Sequence, residues 1–141
     1  MANPANTTAY KLPDGRIAVN VTEAKTLTID DAGYVQNVIY ANGAVTLPAT
    51  AVVGTFVVRN GGIPKTSAPA GTGDDGNKIS VIPNASDKVT GGITGTVTDG
   101  KPFENTAATA RVGDEISITN TGATDGGFIN YVKGTWIRNN A

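Results

Sequence analysis

The sequence predicts an all-β fold, an antiparallel β-sandwich of jelly-roll-like form, and three observations predict it. Apolar residues fall in short runs that either alternate with polar ones or are rich in β-branched types, and no stretch keeps the i, i+3, i+4, i+7 spacing of an amphipathic helix over several turns. Clusters of Gly, Asn and Asp punctuate these runs at short intervals. The 141 residues suffice for one two-layer core, since domains cluster at about 100–150 residues.

Taken in order, the expected strands are Arg16 to Thr22, Thr26 to Ile29, Tyr34 to Tyr40, Ala44 to Leu47, Thr55 to Arg59, Lys78 to Ile82, Ile93 to Val97, Glu115 to Thr119, Phe128 to Lys133 and Thr135 to Arg138. Val, Ile, Thr, Tyr and Phe dominate them, the residues that suit a pleated, half-buried surface. Between them stand Pro13-Asp14-Gly15, Asp31-Ala32-Gly33, Asn42-Gly43, Asn60-Gly61-Gly62, Asp99-Gly100, Thr121-Gly122 and Asp125-Gly126-Gly127, all of turn chemistry. Asn42-Gly43 is the strongest two-residue hairpin signal, expected to join Tyr34–Tyr40 to Ala44–Leu47. Residues 1–9 read as a flexible amino-terminal arm and 10–141 as a single β-sandwich domain. Within the domain, 61–77 (GGIPKTSAPAGTGDDGN) has almost nothing to bury and is expected as a long exposed loop; Asp99 to Asn105 reads as a shorter one. Val53 to Gly61 and Val112 to Gly122 echo each other, each with Val-Gly, an alternating strand and an Asn/Gly turn.

Composition bounds the function. Charged residues make up 16% against a usual share of about 25%, and Thr, Asn and Gly take their place, so the surface is polar but sparsely charged. A formal net charge of −1, without a basic run, supplies no field to draw nucleic acid or an anionic membrane. No apolar run is long enough to span a bilayer, and the first residues lack the pattern of a secretory leader, so synthesis in the cytoplasm is expected. His and Cys are both absent, which removes the commonest general base, the thiolate nucleophile and the commonest metal ligands. Neither a cofactor nor a metal is expected.

Carboxylates are the remaining route to catalysis. Asp30-Asp31 and Asp74-Asp75 sit in turn-like contexts, and Asp114-Glu115 leads into a strand whose neighbouring side chains point to opposite faces. All three pairs read as turn caps and solubilising groups. Asp74-Asp75-Gly76-Asn77 lacks the spaced ligands of a calcium loop. Gly91-Gly92-Ile93-Thr94-Gly95 lacks the Lys-Ser/Thr and helix of a phosphate loop and reads as a hairpin. Trp136 has two readings: a plug for one end of the core, or an interface anchor beside Arg138. Tyr34, Tyr40 and Phe103 invite the same pair of readings.

The run from Ala44-Val45-Thr46-Leu47-Pro48-Ala49 through Val53-Gly54-Thr55 and Arg59-Asn60-Gly61-Gly62, then Ile79-Ser80-Val81-Ile82-Pro83-Asn84 through Asp87 to Gly91-Gly92, closing on Gly134-Thr135-Trp136, resembles the β-structured accessory proteins of tailed bacteriophages, and among them the capsid decoration or cement proteins. That resemblance implies a structural virion protein on the capsid exterior, made in the bacterial host. Its implied partners are the major capsid protein and its own copies, as a dimer or trimer. It carries no catalytic residues. Candidate contact residues are Asn3, Pro4 and Tyr10 in and beside the arm, Ile63, Pro64 and Lys65 in the long loop, and Phe103, Trp136 and Arg138. The alternatives are a head- or tail-fibre module that binds host-surface glycan, which needs exposed aromatics along a groove, and a glycosidase, which needs two carboxylates facing across a cleft.

Overall fold

The computed structural model describes residues 9–64, 73–74, 76–85, 87–93, 95–98 and 100–139. Apart from one short 3₁₀ turn, the regular structure of these residues is β. In chain order the strands are β1 (Tyr10–Lys11), β2 (Ile17–Val21), β3 (Lys25–Thr26), β4 (Val35–Val38), β5 (Gly43–Thr46), β6 (Gly54–Asn60), β7 (Ile63–Pro64), β8 (Gly73–Asp74), β9 (Ile79–Ile82), β10 (Val89–Thr90), β11 (Phe103–Asn105), β12 (Glu115–Asn120), β13 (Gly127–Lys133) and β14 (Ile137–Arg138). A seven-stranded sheet has the order β1-β2-β4-β6-β12-β13-β10 and a five-stranded sheet the order β14-β11-β9-β5-β3; β7 and β8 form a separate ribbon.

The all-β class is as expected, but the pairing is not uniformly antiparallel. β2, β4 and β6 run parallel in the large sheet, as do β3, β5 and β9 in the small one, and β10 is parallel to β13. The chain reaches each parallel neighbour by crossing to the opposite sheet and returning, so β2–β3, β4–β5 and β6–β9 are three stacked passes. This is a strand-based form of the crossover that parallel pairing demands. β12 then adds to β6, and β11 to β9, with reversed direction. A jelly roll built of antiparallel pairs is therefore replaced by two mixed sheets.

Asn42-Gly43 belongs to this correction. Its turn is real, with Asn42 at φ 52°, but it joins β4 of one sheet to β5 of the other and is an arch, not a hairpin. The Tyr40 hydroxyl braces it, accepting from Ala44 N at 2.7 Å and lying 2.9 Å from Ala44 O. The echoing segments Val53–Gly61 and Val112–Gly122 hold β6 and β12, which are direct antiparallel partners from Gly54↔Asn120 to Arg59↔Glu115. Phe103–Asn105, expected as loop, is strand β11, and the described residues of Ile93–Val97, expected as strand, hold none. The loop expected over 61–77 holds the β7–β8 ribbon, with 65–72 and 75 outside the described residues.

One hydrophobic cluster draws on both sheets: Val21, Val38, Phe56, Val58, Ile116, Ile118 and Ile129 from the large sheet, and Val45, Ile79, Val81 and Phe103 from the small one. Trp136 joins it, donating from Nε1 to Lys133 O at 2.9 Å. One end of the core is closed by buried polar side chains. Asn60 Nδ2 donates to Asn77 O (2.8 Å) and Asn105 Oδ1 (2.7 Å), and Asn105 Nδ2 donates to Asp114 Oδ2 (3.0 Å) and Thr135 O (3.0 Å). Each of these groups has lost water and regained a partner, the condition on which a buried polar network is tolerated.

Candidate functional site

The outer face of the large sheet carries the charged chemistry. Register puts Arg59 and Lys133 on either side of Glu115 across β6, β12 and β13. Between Ser117 and Ile118 the β12–β13 register shifts, leaving Asn130 as the extra residue of a bulge; its Nδ2 donates to Ser117 Oγ (3.1 Å) and Thr119 Oγ1 (2.7 Å). The bulge brings Asn130 and Tyr131 to the same outer face, so that Tyr131 reaches Glu115.

The turn between β1 and β2 lies against this face. Its Arg16 guanidinium grips both Glu115 oxygens, Nη1 to Oε2 at 2.8 Å and Nη2 to Oε1 at 3.0 Å, while Nε meets Asp14 Oδ2 at 2.9 Å. The Tyr131 hydroxyl donates to Glu115 Oε2 as well. Burial alone would raise the Glu115 carboxyl, but the hydrogen bonds from Arg16 and Tyr131 and the charges of Arg16 and Arg59 outweigh it and hold the group below the usual carboxylate range. Asp14 is also lowered, chiefly by the bond its carboxylate accepts from Arg16 N. Burial, with the adjacent Glu115 charge, pushes the Tyr131 phenol up to about 12.

A cleft of about 260 Å³ opens here, walled by Leu12 and Pro13 on one side and by Asp14, Arg16, Arg59, Gly113, Glu115 and Lys133 around the rest. Three cations face two carboxylates, and both carboxylates are engaged by Arg16. Among the described residues, neither Arg59 nor Lys133 has an ion-pair or hydrogen-bond partner for its charged head. The Arg59 Nη2 and Lys133 Nζ lie 3.6 and 3.9 Å from the point where a Cβ on Gly113 would stand. Gly113, at φ 97°, thus leaves open the space between two cations. The arrangement suits an anionic oxygen group entering from solvent, which the two heads would receive without disturbing the Arg16–Glu115 pair.

The sequence-derived contact candidates distribute differently. Phe103 and Trp136 are buried, at 1% and 6% exposure, so neither presents a ring to a partner, and the core-plug reading of Trp136 is the one realised. Arg138 is turned inward over the Phe103 ring at 5.0 Å from its centroid, and its guanidinium donates to the carbonyls of Val89 (2.9 Å), Gly91 (3.0 Å) and Ile93 (3.3 Å). It pins the Gly91-Gly92 segment, which is the connection from β10 to β11 and not a hairpin. Tyr10 is exposed on edge strand β1, its hydroxyl bonded to Asn20. Ile63 and Pro64 form β7; Asn3, Pro4 and Lys65 lie outside the described residues.

Sequence reasoning missed Arg16, Arg59 and Lys133 as a group, because they come from three distant segments. The available signal was Glu115: an acid at the start of an alternating strand must find a cation if it is to be covered. Asp31 and Asp114 do act in turns, Asp31 accepting from Thr28 N (2.9 Å) and Asp114 from Arg111 N (2.9 Å). Among the described residues no group of three acidic side chains is placed to hold a metal ion, and no helix is long and apolar enough to cross a membrane. Comparison of the chain with family models, with curated proteins and with solved structures gives no match in any of the three.

Proposed function

We propose that this chain is a structural virion protein that docks on the outer surface of a bacteriophage capsid as a dimer or trimer and cements neighbouring major capsid subunits without catalysing a reaction. The capsid assignment comes from the sequence resemblance; the cleft supports the docking part of it. The single observation that carries docking is the Arg59–Lys133 pair, two cations at an open cleft whose heads, among the described residues, make no hydrogen bond or ion pair of their own. A partner's Asp, Glu or chain-terminal carboxylate satisfies them.

The same cleft argues against acid–base catalysis. Cleavage of a glycoside by two carboxyls needs one of them held protonated. Here Asp14 and Glu115 share one arginine and both are shifted toward the ionised form. The glycan-binding alternative has one observation in its favour, the exposed rings of Phe128 and Tyr131 on β13. Tyr131, however, has already committed its hydroxyl to Glu115.

Mass spectrometry of purified virions of the encoding phage, before and after mild chaotrope stripping, tests the proposal. Many copies per particle, with fragile heads after stripping, support it. Absence from the particle rejects it, and glycan-array binding without head association selects the alternative.

A further inference from the structure

The Gln36 side chain is an anomaly in the core. It sits on the inner face of β4, aligned with Val19 on one side and Val58 on the other, and is fully buried. Its carboxamide oxygen accepts from Lys25 Nζ at 2.8 Å, yet its Nε2, equally buried, has no partner among the described residues. An orphaned buried donor of this kind is costly and calls for an explanation.

Lys25 comes from β3, the edge strand of the opposite sheet. Its Nζ also lies 3.0 Å from Asp31 Oδ1, off the line of a hydrogen bond but in charge contact. Asp31 is 3% exposed and is held in place by the 3₁₀ turn Ile29–Asp31, whose capping box anchors Oδ2 on Thr28 N. An amine, a carboxamide and a buried carboxylate therefore meet at the seam between the two sheets. With a C=O bond of about 1.2 Å, an amine 2.8 Å from Oε1 stands no more than about 4 Å from Cδ. Among the described residues no hydrogen bond at Nε2 resists the carboxamide rotation that turns the carbonyl face toward Nζ.

We propose that Lys25 and Gln36 form an intramolecular amide cross-link between the sheets, with Asp31 as the proton carrier. Asp31 takes a proton from the Lys25 ammonium, and the freed lone pair adds to Cδ, forming the Nζ–Cδ bond. Nζ then gives up a second proton, relayed through the Asp31 carboxyl to Nε2, and the Cδ–Nε2 bond breaks. Ammonia leaves with the proton Asp31 first took, as ammonium, so Asp31 ends as it began. No oxidant, metal or second substrate enters the balance. The orphaned Nε2 is the group expelled, which removes the unsatisfied donor from the core. The product ties the two-residue edge strand β3 to the central region of the large sheet and closes a short loop of chain, a constraint on the unfolded state like that of a disulfide in a sequence without cysteine.

The test is peptide mapping of the purified full chain after incubation at neutral pH, and it needs no capsid. A cross-linked chain resists trypsin after Lys25 and yields one peptide spanning residues 17–59, lighter than its sequence mass by about 17 Da, the mass of the expelled ammonia. Lys25→Arg and Asp31→Asn, each checked for retained β structure by circular dichroism, should both lack the loss. Cleavage after Lys25 with full-mass peptides in the wild-type chain overturns the proposal, whatever the variants do. A mass loss that persists in Lys25→Arg places the chemistry elsewhere and overturns it too.

Discussion

Replacing Arg16 by Ala removes the clamp on Glu115 and provides a quantitative test of how the outer face is held. Two limits bracket the cost. An exposed ion pair contributes about 0–1 kcal/mol, whereas taking one member from a buried pair costs about 3–5 kcal/mol. Glu115 is close to the buried limit with a side chain 7% exposed, but the Arg16 side chain is 37% exposed and solvent screens it. After truncation, Glu115 keeps the Tyr131 hydroxyl and the nearby Arg59 charge, so it is not abandoned. Discounting the buried limit for both reasons gives a loss of about 2 kcal/mol. Urea unfolding at neutral pH measures it, and the midpoint should fall with an unchanged slope. The pH dependence supplies the sign. The folded Glu115 carboxyl lies below its unfolded value, so its stabilisation is present above the ordinary carboxylate range near about 4.3 and is lost as pH falls through the folded value. Wild type and variant should therefore converge in acid. A loss below about 0.5 kcal/mol at neutral pH, or a difference that survives unchanged in acid, would refute the reasoning.

Phe56→Ala, which removes one of the two largest fully buried side chains among the described residues, should cost about 3–5 kcal/mol in the same assay, because the two packed sheets cannot collapse into the space. Asn60→Ala should cost about 3 kcal/mol despite losing no hydrophobic area, since it strands Asn105 Oδ1, Asn77 O and the Gly62 N–H inside the fold. Tyrosinate absorbance should show one phenol titrating at about 12, and Tyr131→Phe should abolish that step. The raised value means that stability is intact below the ordinary phenol range and falls as pH rises through about 12.

Much of the fold was legible in the sequence because it depends on local physics. Alternation located β2, β4, β5, β6, β9, β12 and β13, and turn chemistry located most of their connections. The arrangement of those strands was not legible. Asn42 adopts a left-handed conformation that serves an arch as well as a hairpin, and nothing local states which sheet the next strand joins. Phe103 looked like a loop residue because Asp99-Gly100 and Pro102 precede it and its strand is three residues long. The site was less legible still. Trp136 and Arg138 drew attention as an aromatic and a cation side by side, but one is spent on the core and the other on three carbonyls. Arg59 and Lys133, unremarkable in sequence, become a pair only through the antiparallel registers of β6 and β13 with β12.

Docking through the cleft depends on the two cations beside Gly113. Co-sedimentation of the purified protein with empty heads stripped of surface proteins, comparing wild type with the Arg59→Ala/Lys133→Ala double variant, tests it most directly. Wild type should saturate the heads at a fixed copy number, and the variant, checked for retained β structure by circular dichroism, should bind at least about tenfold more weakly. Equal binding by the two proteins, or none by wild type, would contradict it.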